Sequence, residues 1–317
     1  MIRISTGTAA VLGLNNLVSK VSPTTAYLMQ GEKCTNNCSF CAQARNSSSD
    51  GALLSRVTWP EFSLSKVVGG LTEACSKGNL KRVCIQVVRC DNFETLKTPI
   101  QTIKKAIPQI PLSISVSLDS IDAISKVFAF GADIVNISVD GASQSVFEAV
   151  KQRSWDNTWS LLTAASKTFP NRLHTHLIAG LGESEKDIVE TLQKCQDLGI
   201  GAGLFAFTPI KGTFLENRSQ PPLASYRRLQ AARFLITHQY ARADQFAYDS
   251  KENLISLGLE KETLEQLLNS GKTFETTGCQ GCNRPYYNES PRQIPYNYPR
   301  PLTEEETAAA IEAAFRK

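Results

Sequence analysis

Apolar and polar positions along this chain follow two alternating periods. Short runs dominated by Val, Ile, Leu and Ala occupy 82–88, 112–118, 132–139, 173–181 and 204–210. Runs this short and this apolar read as buried parallel strands. Between them the apolar residues recur at helical spacing, and the punctuation agrees: 119–130 stops at Gly131, 155–169 stops before Pro170, and 183–198 stops at Gly199. With the apolar segment Ala26-Tyr27-Leu28-Met29 as a first strand, the pattern gives about six βα units, an α/β chain built as a partial, TIM-like barrel. In such folds the chemistry gathers at the C-terminal ends of the strands. Past about Pro221 the pattern turns to helices over 221–240, 260–268 and 303–315, with a Gly-, Pro- and Tyr-rich stretch over 278–301. This predicts a barrel over 1–220 and a helical and irregular extension over 221–317 that closes its mouth.

At 317 residues and 42% apolar content, the chain is long enough for a large core and is not dominated by disorder. Lys and Arg number 34 against 30 Asp and Glu, and a net charge of +4 gives no reason to invoke nucleic acid or an anionic membrane. No run approaches the roughly 20 apolar residues of a membrane span, and the patch at 9–14 is too weak for a signal peptide, so a cytoplasmic protein is expected. The nine cysteines change the picture. An odd number in such a chain argues for metal or catalytic chemistry rather than a disulfide framework.

Cys34, Cys38 and Cys41 crowd into a polar loop directly after the first strand, at the end where chemistry is expected. A structural zinc site wants four ligands, commonly as two pairs, whereas here three thiols converge with no fourth Cys or His nearby. An iron–sulfur cluster with one open iron explains the number three. Cys75 and Cys195 fall in helical patterns and read as core.

The C-x3-C-x2-C spacing, with the aromatic Phe40 just before the last Cys, resembles the signature of the radical S-adenosylmethionine (radical SAM) superfamily. The resemblance implies a partial (β/α)6 barrel in which Cys34, Cys38 and Cys41 hold three irons of a [4Fe–4S] cluster. S-adenosylmethionine would chelate the fourth iron and yield a 5′-deoxyadenosyl radical on reduction. Within the superfamily, 132–215 is similar to biotin synthase and its relatives. Asn136-Ile137-Ser138-Val139-Asp140 stands where those enzymes bind the ribose, Gly180-Leu181-Gly182-Glu183 matches their Gly-Leu-Gly-Glu turn, and Lys211-Gly212-Thr213 matches a Lys-Gly-Thr-Pro element. Phe40, Ser138, Asp140, Gly180 and Glu183 are thereby expected at the cofactor. Without the cluster loop, Gly180 and Gly182 would read as a plain strand-to-helix turn and Asp140 as a helix cap.

The chain departs from biotin synthase at the auxiliary cluster, for which only Cys84 matches a ligand; Ser113 and His174 stand near the other two positions. It offers instead a C-x2-C pair, Cys279 and Cys282, in the extension. Alternation places Cys84, Gln86, Val88 and Cys90 on one face of a strand, so Cys84, Cys90, Cys279 and Cys282 are the candidate ligands of an auxiliary iron–sulfur cluster. In the bland reading Cys84 is a small buried residue and the tail pair binds zinc or nothing. His174 and His176 share one strand face, with an interior role expected. Arg82, Arg89, Arg284 and Arg292 are candidate carboxylate contacts.

A barrel of this kind with a second cluster implies sulfur insertion. The tail pair and its Asn283-Arg284-Pro285-Tyr286-Tyr287 context resemble two-subunit lipoyl synthases, and the N-terminal cysteine triplet of single-chain lipoyl synthases is absent. The resemblance implies an octanoylated carrier protein as substrate, a second radical SAM subunit as partner, and an electron donor such as ferredoxin or flavodoxin. Two alternatives stand beside it: a biotin-synthase-like enzyme acting on a small molecule, and a zinc-binding scaffold.

Overall fold

The structure, a computed structural model, describes residues 1–88, 93–288 and 292–315. The chain opens with β1 (Ile2–Ile4), α1 (Thr6–Val11) and β2 (Thr25–Gln30), then the hairpin of β3 (Leu53–Leu54) and β4 (Val57–Thr58), and β5 (Glu61–Phe62). Helices and strands then alternate: α2 (Leu64–Ser76), β6 (Arg82–Val87), α3 (Lys97–Ala106), β7 (Leu112–Ser115), α4 (Ile121–Phe130) and β8 (Ile134–Asn136). Next come α5 (Gln144–Lys151), α6 (Trp155–Thr168), β9 (Leu173–Ala179), α7 (Glu185–Asp197) and β10 (Gly201–Ala206). The extension carries α8 (Leu223–Thr237), β11 (Ala247–Tyr248), β12 (Leu254–Ser256), α9 (Lys261–Leu268) and α10 (Glu304–Phe315).

One sheet organises the molecule, in the order β10-β9-β8-β7-β6-β2-β1-β5. Neighbours from β2 through β10 pair in parallel, and β1 runs antiparallel to both β2 and β5. The parallel strands follow chain order without reversal, so right-handed crossovers put their helices on a single face. That face is apolar: Val83, Ile85, Leu112, Ile114, Val135 and Leu177 are buried in one core with Val67, Ile100, Val127, Leu162 and Leu192 of the covering helices. Side chains alternate, so the opposite face carries the polar strand residues. Register sets Met29, Gln86, Ser115, Asn136, His174 and Gly201 in one row across it.

The helix limits are explained by local chemistry. Ser120 caps α4 by accepting from the Ala123 N–H at 3.2 Å, and Gly131 ends it at φ 120°. Ser184 and Asp187 form a reciprocal box at the start of α7. The sheet differs from the expected six βα units by gaining β1 and β5, which extend it at one edge.

The extension reaches further than the expected closure of the mouth. Its segment 276–288 runs along the inner face from the N-terminal ends of the strands. The Gly281 carbonyl accepts from Thr24 Oγ1 at 2.7 Å and the Gln280 carbonyl from Arg82 Nε at 3.1 Å, both beside strand starts. At the far end Asn288 Nδ2 donates to the carbonyl of Ala206, the last residue of β10, at 2.8 Å. The physical reason is satisfaction of groups at an open sheet edge: Leu204 N–H of β10 donates to Thr277 Oγ1 at 2.9 Å. Among the described residues no helix is long and apolar enough to cross a membrane.

Candidate active site

The cysteine loop leaves β2 through Gly31 at φ 96°, where a Cβ would come 2.7 Å from the Val88 carbonyl; only glycine fits so close an approach. Backbone bonds fold the loop on itself, Cys34 N–H to the Gln43 carbonyl at 3.1 Å and Cys41 N–H to the Cys38 carbonyl at 3.1 Å. Arg3 of β1 fastens it from outside by donating to the carbonyls of Gly31, Glu32 and Gly51. Nothing in the sequence marks Arg3 for this task. Burial pushes the Cys41 thiol up to about 12, with Cys38 and Cys34 adding to the shift, and raises Cys38 as well. These two thiols keep their protons until a cation replaces them, and with Cys34 they put three thiols on one loop, which fits a cluster with a free iron.

A cavity of about 250 Å³ lies between this loop and the inner face of the sheet. Phe40, Cys41, Ser138 and Asp140 all line it, so four residues expected at the cofactor or cluster meet in one place. Asp140 sits just past β8 at φ 63° and is stitched to β9, its N–H donating to the His176 carbonyl at 2.7 Å and its carbonyl accepting from Ile178 N–H at 2.8 Å. Its carboxylate pairs with Lys151 at the end of α5. Burial opposes the Lys151 charge, yet Asp140 and Cys38 outweigh it and hold the ammonium above its ordinary value. The helix-cap reading of Asp140 does not apply, since Ser143 occupies the N-cap position of α5.

Gly180 and Glu183 are not brought to this cavity. They line a separate one of about 260 Å³ with Arg218 and Pro221. Gly180, at φ 103°, faces Pro221, and Glu183 Oε1 accepts from the N–H groups of Gly180 at 2.9 Å and Leu181 at 3.3 Å. The Lys211-Gly212-Thr213 element instead clamps the chain beyond the cysteine loop: the Gly212 carbonyl accepts from Ser48 N–H at 3.0 Å.

Toward the N-terminal ends of the strands the tail thiols meet the inner face. Cys279 Sγ lies 3.3 Å from Ser113 Oγ and 3.4 Å from His174 Nδ1, and Cys282 Sγ lies 3.3 Å from Tyr27 Oη. Cys84 Sγ accepts from Gln86 Nε2 at 3.0 Å; burial, with Cys279 next, pushes its thiol up to about 12. Tyr27, Met29, Trp59 and Val88 form a small apolar cluster against which Cys34, Cys84 and Cys282 all pack, so the two thiol groups share one wall. Cys90 and Arg89 lie outside the described residues. Cys195 is buried in α7 and Cys75 half-buried in α2.

Both interior histidines face this region. Burial, then Arg82 and Arg233, lowers His174 to about 4, and burial, then Arg284, lowers His176 well below its ordinary value. Arg284 stacks on the Phe205 ring at 3.9 Å and reaches His176 Nε2 at 3.1 Å. Burial works against its charge, but Cys282, Tyr27 and Cys84 outweigh that and raise its value. Arg82 holds the tail backbone and donates to Ser113 Oγ at 2.7 Å, while Arg292 is exposed. Nothing in the sequence marks Lys151, Tyr27 or Phe205 as site residues, and Tyr287 stands there only in the context of the tail pair. Among the described residues no three His, Cys, Asp or Glu side chains are arranged as ligands of one ion. A cluster spreads its thiolates over separate irons.

The chain is also similar to known proteins. The family described as the Radical SAM superfamily matches residues 30–195, just over half of the chain. Over 192 residues the chain is 26% identical to a biotin synthase from Sulfurihydrogenibium sp. (strain YO3AOP1), covering 58% of this chain and 55% of that protein. A lipoyl synthase from Caldicellulosiruptor saccharolyticus (strain ATCC 43494 / DSM 8903 / Tp8T 6331) is 24% identical over 185 residues, 56% of this chain and 60% of that protein. The match thus spans little more than half the length of either relative. Among solved structures, methylornithine synthase (PylB) matches with a TM-score of 0.51 at 14% identity, over 68% of this chain and 62% of that one. HydG, a maturase of the [FeFe]-hydrogenase, gives 0.53 at 11% identity, over 67% and 50%. At such identities the likeness shows the fold, which is an α/β partial barrel.

Proposed function

Because this chain belongs to the radical SAM superfamily, we propose that it is a sulfurtransferase that inserts sulfur into unactivated C–H bonds of a protein-bound octanoyl chain. The observation that carries this reading is the second thiol group: Cys84 and Cys282 pack against Tyr27 and Trp59, which line the cavity together with Cys41 and Asp140, and Cys279 neighbours Cys84. Bound at these two thiol groups, a [4Fe–4S] cluster with S-adenosylmethionine would supply a 5′-deoxyadenosyl radical, and an auxiliary iron–sulfur cluster would supply sulfide.

This chain's own residues do the rest. The Asp140 carboxylate, fixed on β9 by its backbone and oriented by Lys151, is placed to accept two ribose hydroxyls. Leu54, Trp59, Ile178 and Phe205 give the cavity walls that suit an alkyl chain and exclude water. Arg284, beside Cys282 and Cys84, holds positive charge where thiolates would bind metal. An octanoylated carrier protein is the proposed substrate, a second radical SAM subunit the partner that performs the other of two insertions, and a ferredoxin or flavodoxin the electron donor.

The reading is tested by separating the two thiol groups. Cys279→Ser and Cys282→Ser should keep cleavage of S-adenosylmethionine to 5′-deoxyadenosine and abolish sulfur transfer. Sulfur transfer intact in both variants would remove the tail thiols from the chemistry.

A further inference from the structure

We propose that His174 is a ligand of the auxiliary centre, sharing one iron with Cys279. The proposal rests on the second-cluster reading above and names a ligand besides the cysteines. Among the described residues the thiols at the tail are Cys84, Cys279 and Cys282, where iron–sulfur clusters ordinarily take four protein ligands.

The geometry points to the imidazole. His174 Nδ1 stands 3.4 Å from Cys279 Sγ. Metal bonds of about 2.3 Å to sulfur and about 2.0 Å to nitrogen, opened to a tetrahedral angle, put the two ligand atoms about 3.5 Å apart. The pair therefore already has the separation of two ligands on one metal. A shared iron is the ligation of a two-iron cluster, which takes two protein ligands per iron, rather than of a cubane, which takes one.

The surroundings hold the ring in that pose. Residue 201 on β10 pairs in register with His174, and a Cβ there would lie 2.5 Å from Nε2; glycine makes the space the ring fills. Ser113 approaches Cys279 from the other side at 3.3 Å, and its oxygen already accepts from Arg82 at 2.7 Å. The Ser113 proton is left to point at the sulfur, the hydrogen bond that stabilises a metal-bound thiolate. Arg82 also binds the Gln280 carbonyl, so one guanidinium sets both the hydroxyl and the backbone between the tail cysteines.

The alternative is a plain S–H···N hydrogen bond with no metal, and spectroscopy separates the two. The full chain, grown with isotope-labelled histidine and reconstituted anaerobically without S-adenosylmethionine, is reduced and examined by pulsed paramagnetic resonance. The same is done for a Cys34→Ala/Cys38→Ala/Cys41→Ala variant, in which any remaining iron belongs to the tail, and for His174→Cys. The proposal predicts iron in the triple variant, a histidine-nitrogen coupling there and in the wild type, and loss of that coupling in His174→Cys with iron retained. The His174→Cys centre should also shift to lower midpoint potential, because imidazole ligation raises it. Tail iron without nitrogen coupling overturns the histidine ligand and leaves the second-cluster reading standing. A triple variant free of iron, with wild-type iron confined to the first cluster, overturns both.

Discussion

Lys151 and Asp140 form an ion pair beside the cysteine loop, with each side chain 9% exposed. Ionising both in so dry a place is tolerable only because each answers the other. Asp140→Asn removes the counter-charge of the ammonium, which keeps the Ser138 carbonyl 3.1 Å away as an acceptor, and should destabilise the fold by about 3 to 5 kcal/mol. The double variant Asp140→Asn/Lys151→Met should recover most of that. Chemical denaturation of the two singles and the double measures the coupling; additive losses would show that the pair contributes nothing as a pair.

Glu183 carries a pH dependence of its own. Among the described residues its Oε2 is buried without a hydrogen-bond partner, and burial, against the pull of backbone donors and Arg218, raises its carboxyl above the ordinary 4.5. A raised value means that the folded chain holds the proton more tightly than the unfolded one. The stability from this group is therefore full below about 4.5 and is lost as pH rises through the folded value. Glu183→Gln keeps the acceptor for Gly180 and Leu181 and has no such titration. Its stability relative to wild type should increase from acid to neutral pH in urea unfolding; a gap that does not change with pH would contradict the shift.

Gly212 is the third test. At φ 84° its Cβ would lie 2.5 Å from the backbone nitrogen of Ser49, and neither backbone has room to give. Gly212→Ala should cost about 1 to 3 kcal/mol by overpacking and backbone strain. Because the clamp holds the chain just past Cys41, the variant should also lose iron faster on dilution into chelator. Wild-type iron retention would show that the clamp does not support the loop.

How far the sequence carries the reader depends on how local the information is. The parallel strands were legible because their apolar runs are flanked by Gly and Pro, and Cys34, Cys38 and Cys41 because eight consecutive residues hold the whole pattern. β1 and β5, at three residues and two, are shorter than any period can register. Lys151 is eleven residues from Asp140, and only the fold of α5 brings it back. Gly180 and Glu183 belong to a recognisable turn, yet a turn motif does not say which cavity it faces. The path of 276–288 depends on contacts with strands 70 to 260 residues earlier, such as Leu204 with Thr277 and Thr24 with Asn283, which no local pattern encodes.

The central claim is that the second thiol group delivers sulfur to an alkyl chain. Mass spectrometry of an octanoyl-lysine peptide, after anaerobic incubation with the reconstituted protein, its partner subunit, S-adenosylmethionine and a reductant, tests it most directly. The account predicts sulfur-containing peptide that appears together with 5′-deoxyadenosine and disappears with Cys279→Ser. Ample 5′-deoxyadenosine over a peptide whose mass never changes would contradict it.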